Sequence, residues 1–127
     1  MDTNVLVRAL VSDDKKQSLI AEATLANAES VIISVSALCE LVWVLQQGYG
    51  ATRDEISQSI TTLINAQNVV VDLPSVEAGL TILNHGGDFA DGIIAFESKR
   101  LGAEEFVTFD RKAAKLLSSQ NNVVRLL

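Results

Sequence analysis

Hydrophobic residues in this chain follow two rhythms that alternate along its length. Short apolar runs rich in Val and Ile occur at VIISV (31–35), NVVVDL (68–73), EEFVTF (104–109) and NVVRLL (122–127). They are continuous rather than alternating, which predicts parallel strands covered on both faces. A short first strand is expected at the N-terminus. Between the runs, apolar positions recur at helical spacing. Leu38, Leu41, Val42 and Leu45 form one stripe, stopped by Gly48-Tyr49-Gly50. Ile56, Ile60, Leu63 and Ile64 form a second, with Thr52 or Asp54 as its N-cap. Val76, Leu80 and Leu83 form a third behind Pro74-Ser75, and residues 15–28 read as a further helix. Strands alternating with helices predict an α/β fold: a three-layer sandwich around a mainly parallel central sheet of about five strands.

At 127 residues, 48% of them hydrophobic, the chain is expected to form one domain, 1–127, with a substantial core. No apolar run approaches the roughly 18 residues of a membrane span, and no basic-then-apolar leader opens the chain. A lone cysteine, Cys39, precludes an internal disulfide and suits a reducing cytoplasm, the expected location. We read Cys39 as a core thiol. The net charge of −6 argues against broad, non-specific nucleic-acid binding. The distribution of charge is less hostile than the total, because six of the ten basic residues (Lys99, Arg100, Arg111, Lys112, Lys115 and Arg125) follow Glu97. They form either solvated helix faces or a basic rim able to hold a phosphate backbone.

Four acids stand out against this background. Glu40 is the only polar side chain in LCELVWVL, and Asp91 is the single acid of FADGIIAF. Asp110 closes EFVTFD, and Asp2 directly precedes TNVLV. A carboxylate beside buried apolar surface is costly unless it is paired, protonated or bound to a cation. No basic residue lies within these runs, which points to a metal. In open α/β sheets ligands gather beyond the carboxyl ends of the strands. Asp2 and Asp110 would end strands, Glu40 follows VIISV within one or two helical turns, and Asp91 opens a helix, so all four could reach one sheet edge. Each acid also has a plainer reading. Asp91 and Asp110 could be helix N-caps and Asp2 a surface residue at a chain end, while Asp88 reads as a loop cap in preference to a group supporting the site from behind. His85 stands alone in NHGGD, without the Cys or His partners of a zinc site. Trp43 and Tyr49 read as packing or interface groups; with Val42 and Leu45 they could make an apolar dimer patch, and core packing accounts for them equally well.

Four segments in this order (DTNVLVRAL at 2–10, SALCELVWVL at 36–45, DFADGIIAF at 88–96 and VTFDRKAAKL at 107–116) resemble the PIN-domain ribonucleases, in particular the VapC-type toxins of prokaryotic toxin–antitoxin pairs. The resemblance implies an endoribonuclease dependent on Mg²⁺ or Mn²⁺, with Asp2, Glu40, Asp91 and Asp110 as metal-site carboxylates. Asn4 and Thr108 would support the site, and Lys99, Arg100, Arg111 and Lys112 are candidates for contacting RNA. It also implies a cognate VapB-like antitoxin, whose C-terminal segment wraps the toxin and blocks the pocket, and a homodimer. One departure concerns the start. Family members carry apolar residues ahead of the DTN aspartate that form a central strand, whereas only Met1 precedes Asp2 here. Either that strand begins abruptly or the native start lies upstream; in the first case the α-amino group would compete with the metal. Two other classes share an acidic α/β scaffold. A phosphotransfer domain would need a phosphoacceptor Asp and a later Lys that NVVVDLP and NVVRLL do not convincingly supply, or, in a haloacid-dehalogenase phosphatase, an Asp where Asn4 stands. A non-catalytic acidic module capturing a basic partner arm is permitted by the net charge.

Overall fold

A computed structural model describes residues 1–127. Helices and strands alternate in the order α1 (Thr3–Leu10), α2 (Lys15–Asn27), β1 (Val31–Ile32), α3 (Val35–Tyr49), α4 (Arg53–Ile64), β2 (Val69–Val70), α5 (Leu73–Asn84), α6 (Phe89–Arg100), β3 (Phe106–Thr108), α7 (Arg111–Ser119) and β4 (Val124–Leu126). The chain divides into two compact units, Met1–Asp72 and Leu73–Leu127.

In the first unit β1 and β2 pair in parallel, Val31 opposite Val69 and Ile32 opposite Val70, with α3 and α4 as the crossover. The apolar stripes anticipated for those helices turn inward: Leu38, Leu41, Val42 and Leu45 of α3, and Ile56, Ile60 and Leu63 of α4, are buried, as is Leu6 of α1. Helix α3 stops where the glycine pair lies. Gly50 takes the left-handed conformation at φ 62°, and its N–H donates to the Leu45 carbonyl. Helix α4 starts on a capping box formed by Thr52 and Glu55, so Thr52 rather than Asp54 is the cap.

The second unit pairs β3 with β4 in parallel across α7, with Phe106 opposite Val124 and Thr108 opposite Leu126. Ile82, Ala95 and Leu117 form a buried cluster against which Phe106, Leu116 and Val124 pack. Helices α5 and α6 approach closely because two glycines allow it. A Cβ on Gly92 would stand 2.6 Å from the Ala78 carbonyl oxygen, and one on Gly79 would stand 2.8 Å from the Phe89 ring. Gly92 follows Asp91, so the same close packing fixes the backbone beside that acid.

Two expectations are corrected. The chain has four strands in two separate parallel pairs, not about five in one sheet. The missing element is the first strand: residues 3–10 are helical from the residue after Asp2. Ahead of that cap the Met1 ammonium donates to the Ile32 carbonyl at 3.0 Å. The strands are also not covered on both faces. Ile32 and Val70, neighbours in register, are 59% and 49% exposed, and Val107 and Leu126 are exposed as well. A continuous apolar run reports residue type, not the number of layers laid over it. No helix is long and apolar enough to cross a membrane.

Candidate metal and nucleic-acid site

Each unit positions two of the four singled-out acids. In the first, Asp2 is the N-cap of α1, its Oδ1 accepting a long hydrogen bond of 3.5 Å from the Asn4 N–H. Glu40 lies in the second turn of α3 and accepts a hydrogen bond of 2.7 Å at Oε2 from the Thr3 hydroxyl. Glu40 is thus tied to the residue that follows Asp2 in the chain. The premise that Glu40 lies in apolar surroundings fails. It is exposed, because one helical turn in either direction places it with Ser36 and Trp43 on the solvent face while Leu38, Leu41 and Val42 point inward. Neighbours in sequence are not neighbours on a helix.

In the second unit Asp110 caps α7, its Oδ1 accepting from the Ala113 N–H at 3.0 Å. The Thr108 hydroxyl accepts from the Asp110 N–H at 3.0 Å, so the strand end and the helix start are tied together. Asp91 is not a cap. It occupies the first turn of α6, whose N-cap position belongs to Asp88, and the Asp88 side chain makes no capping bond. Partial burial is the main reason that the Asp91 carboxyl is pushed above the usual carboxylate range, and the charges of Asp88 and Asp110 push it the same way. No cation offsets them. Asp2, Glu40 and Asp110 are exposed, so Asp91 is the one acid of the four that is partly buried.

Nowhere do three or more His, Cys, Asp or Glu side chains form a group that could hold a metal ion. Within each unit the donors nonetheless suit a hard divalent cation. They are carboxylate oxygens, which Mg²⁺ prefers, and Mg²⁺ is usually held by only one or two carboxylates with waters completing the shell. The charges of Asp88 and Asp110 act on Asp91 with no cation to offset them, a condition that a bound cation relieves.

The basic candidates separate into two places. Arg111 and Lys112 open α7, immediately after Asp110, and both are exposed. Lys99 and Arg100 sit in the last turn of α6, about 12 Å along the helix axis from Asp91 at 1.5 Å per residue. Lys99 donates to the Asn121 carbonyl at 3.4 Å, and the Arg100 guanidinium lies 5.3 Å from the centre of the Phe96 ring. Of the apolar-patch candidates, Val42 and Leu45 are core residues. Trp43 is 64% exposed, and the Tyr49 hydroxyl donates to Asp13 at 2.8 Å. His85 is occupied with the Thr81 carbonyl. Sequence reasoning passes over Thr3. The signal is present, since Thr3 is the central letter of DTN, but nothing in the sequence says that its hydroxyl reaches a residue 37 positions away.

An α/β chain with parallel strand pairs and acids at helix starts defines the class of protein. The PIN domain family matches residues 1–116, and the chain belongs to that family. It is similar to the VapC ribonuclease of Aquifex aeolicus (strain VF5), with 27% identity over 121 residues, covering 91% of this chain and 90% of that protein.

Proposed function

We propose that this chain is a metal-dependent endoribonuclease of the VapC type, hydrolysing RNA phosphodiester bonds and neutralised by a cognate antitoxin. The observation that carries the reading is Asp91, partly buried in the family-matched α6, FADGIIAF, beside the charges of Asp88 and Asp110 with no cation to offset them. An acid kept partly buried beside two like charges, with no basic partner, costs stability and calls for a function. Similarity to a relative named VapC ribonuclease supplies the substrate class. We read residues 1–127 as one PIN domain, in the cytoplasm and paired as a homodimer.

In this reading Asp2, Glu40, Asp91 and Asp110 bind Mg²⁺ or Mn²⁺ directly or through water. A divalent ion held there supplies Lewis acidity for phosphodiester hydrolysis. The chain's own residues do the rest. Asp2 and Asp110 present their carboxylates from helix starts, each with one oxygen engaged by its cap and the other left for the ligand. Thr108 holds the backbone of Asp110, and Asn4 supplies the N–H that orients Asp2. Arg111 and Lys112 offer charge to a phosphate beside Asp110, with Lys99 and Arg100 as a second, more distant pair. A non-catalytic module would need no divalent ion.

The test is cleavage of a mixed RNA substrate with Mg²⁺ or Mn²⁺, against chelator. Metal-stimulated cleavage by wild type, lost in Asp91→Asn and Asp110→Asn with the thermal transition retained, is expected. Asparagine keeps the α7 cap, so loss of activity in Asp110→Asn reflects the charge. Cleavage by both variants equal to wild type would refute the assignment.

A further inference from the structure

Two threonines inside helices of this chain, Thr24 and Thr81, use their hydroxyls locally. Thr24 donates to the Ile20 carbonyl at 2.7 Å and Thr81 to the Glu77 carbonyl at 2.9 Å, each bonding one turn back. Thr3 cannot, because it is the first residue of α1 and has no preceding turn to accept its proton. It is also 8% exposed, so water does not readily satisfy it. Its hydroxyl instead crosses to α3 and donates to Glu40 Oε2 at 2.7 Å, a well-formed hydroxyl hydrogen bond. The donor is stiff, since a β-branched side chain has few χ1 rotamers. The acceptor is not: Glu40 is exposed and has three rotatable bonds, so without Thr3 its carboxylate would wander.

We infer that Thr3 is a positioning residue that holds Glu40 in a ligand geometry, engaging Oε2 and leaving Oε1 for a cation. The inference rests on the proposed role of Glu40 as a metal-site carboxylate. It assigns to the middle residue of the DTN segment a task separate from those of Asp2 and Asn4. Thr3 itself touches neither metal nor substrate; it acts through Glu40 alone.

The experiment is titration of the full chain with Mn²⁺ alone by calorimetry, using Thr3→Val, Thr3→Ser, Glu40→Gln and the double variant Thr3→Val/Glu40→Gln. Removing a residue that orients a ligand typically weakens metal binding at least tenfold, so Thr3→Val should lose about tenfold in affinity while Thr3→Ser returns to within about twofold of wild type. In the Glu40→Gln background Thr3→Val should add no further loss, because the group it positions is gone. If valine disturbs the fold, as judged by thermal denaturation, Thr3→Ala replaces it in the same cycle. Wild-type affinity in Thr3→Val together with weakened binding in Glu40→Gln overturns the inference and leaves the site reading standing. An equal loss from Thr3→Val in both backgrounds also overturns it, marking a general structural role. Unchanged affinity in Glu40→Gln overturns the site reading, and the inference with it.

Discussion

Replacing Asp91 with asparagine should make the protein more stable at neutral pH. Burial and the charges of Asp88 and Asp110 all disfavour the ionised carboxyl, and no ion pair or hydrogen bond to Asp91 would be lost. Against this, a carboxylate in the first turn of α6 gains about 0.3–1 kcal/mol from the helix dipole, which the neutral amide forgoes. Burial and two like charges act together against that single gain, so the unfavourable contributions are expected to win. Asp91 is only partly buried, so solvent screens them, and the net gain is about 0.5–1 kcal/mol. For a chain of this size that is a rise of roughly 2–4 °C in Tm. The sign follows from linkage. A carboxyl whose folded pKa is raised contributes stability that is fully present below its unfolded pKa and is lost as pH rises through the folded value. Wild type and variant should therefore differ at pH 7 and converge in acid, where Asp91 is protonated and as neutral as asparagine. Calorimetric melts at neutral and acidic pH, with and without Mg²⁺, read this directly. Mg²⁺ should raise the wild-type Tm more than that of the variant, since binding to the folded state stabilises it. A variant less stable than wild type at pH 7, or a gain that persists undiminished in acid, would refute the reasoning.

Gly92→Ala should destabilise by about 1–3 kcal/mol, because its Cβ would meet the Ala78 carbonyl backbone 2.6 Å away and force α5 and α6 apart; the urea midpoint measures it. Thr52→Ala should cost about 1 kcal/mol through loss of the α4 capping box, seen as a lower midpoint with an unchanged m-value.

Much of the fold is legible in the sequence because helices announce themselves twice, by stripe and by cap. The α3 stripe and its glycine stop, and the α4 stripe with Thr52, emerge where the pattern places them. Strand length is overstated for a physical reason. Ser34 lies inside one apolar run and Asp110 directly follows another, yet both are N-caps that turn the chain into helix, so VIISV yields two strand residues and EEFVTF three. The first strand expected at the N-terminus is absent because residues 3–10 are spaced as a helix, burying Thr3, Leu6 and Val7 on one side. Of the site, the identities of the acids are legible and their environments are not. Glu40 reads as buried only because an eight-residue apolar run hides which helix face it occupies, and Asp91 acquires its unusual acidity in part from residues three and nineteen positions away.

The capping and metal-ligand readings of Asp2 and Asp110 need not compete. A capping carboxylate gives one oxygen to a backbone N–H and has a second to spare, and its place at a helix start fixes where that second oxygen points. Asp110 illustrates the gain: its Oδ1 is held by Ala113 and its own N–H by Thr108, so both side chain and backbone are oriented before any ligand arrives. Glu40, which caps nothing, obtains the same preorganisation from outside its helix, through the Thr3 hydroxyl. Asp91 is oriented by neither device, and there the backbone provides the constraint, with Gly92 pressed against α5. Three different local solutions thus serve one requirement of the proposed site: carboxylates held still enough that an incoming cation need not pay for ordering them.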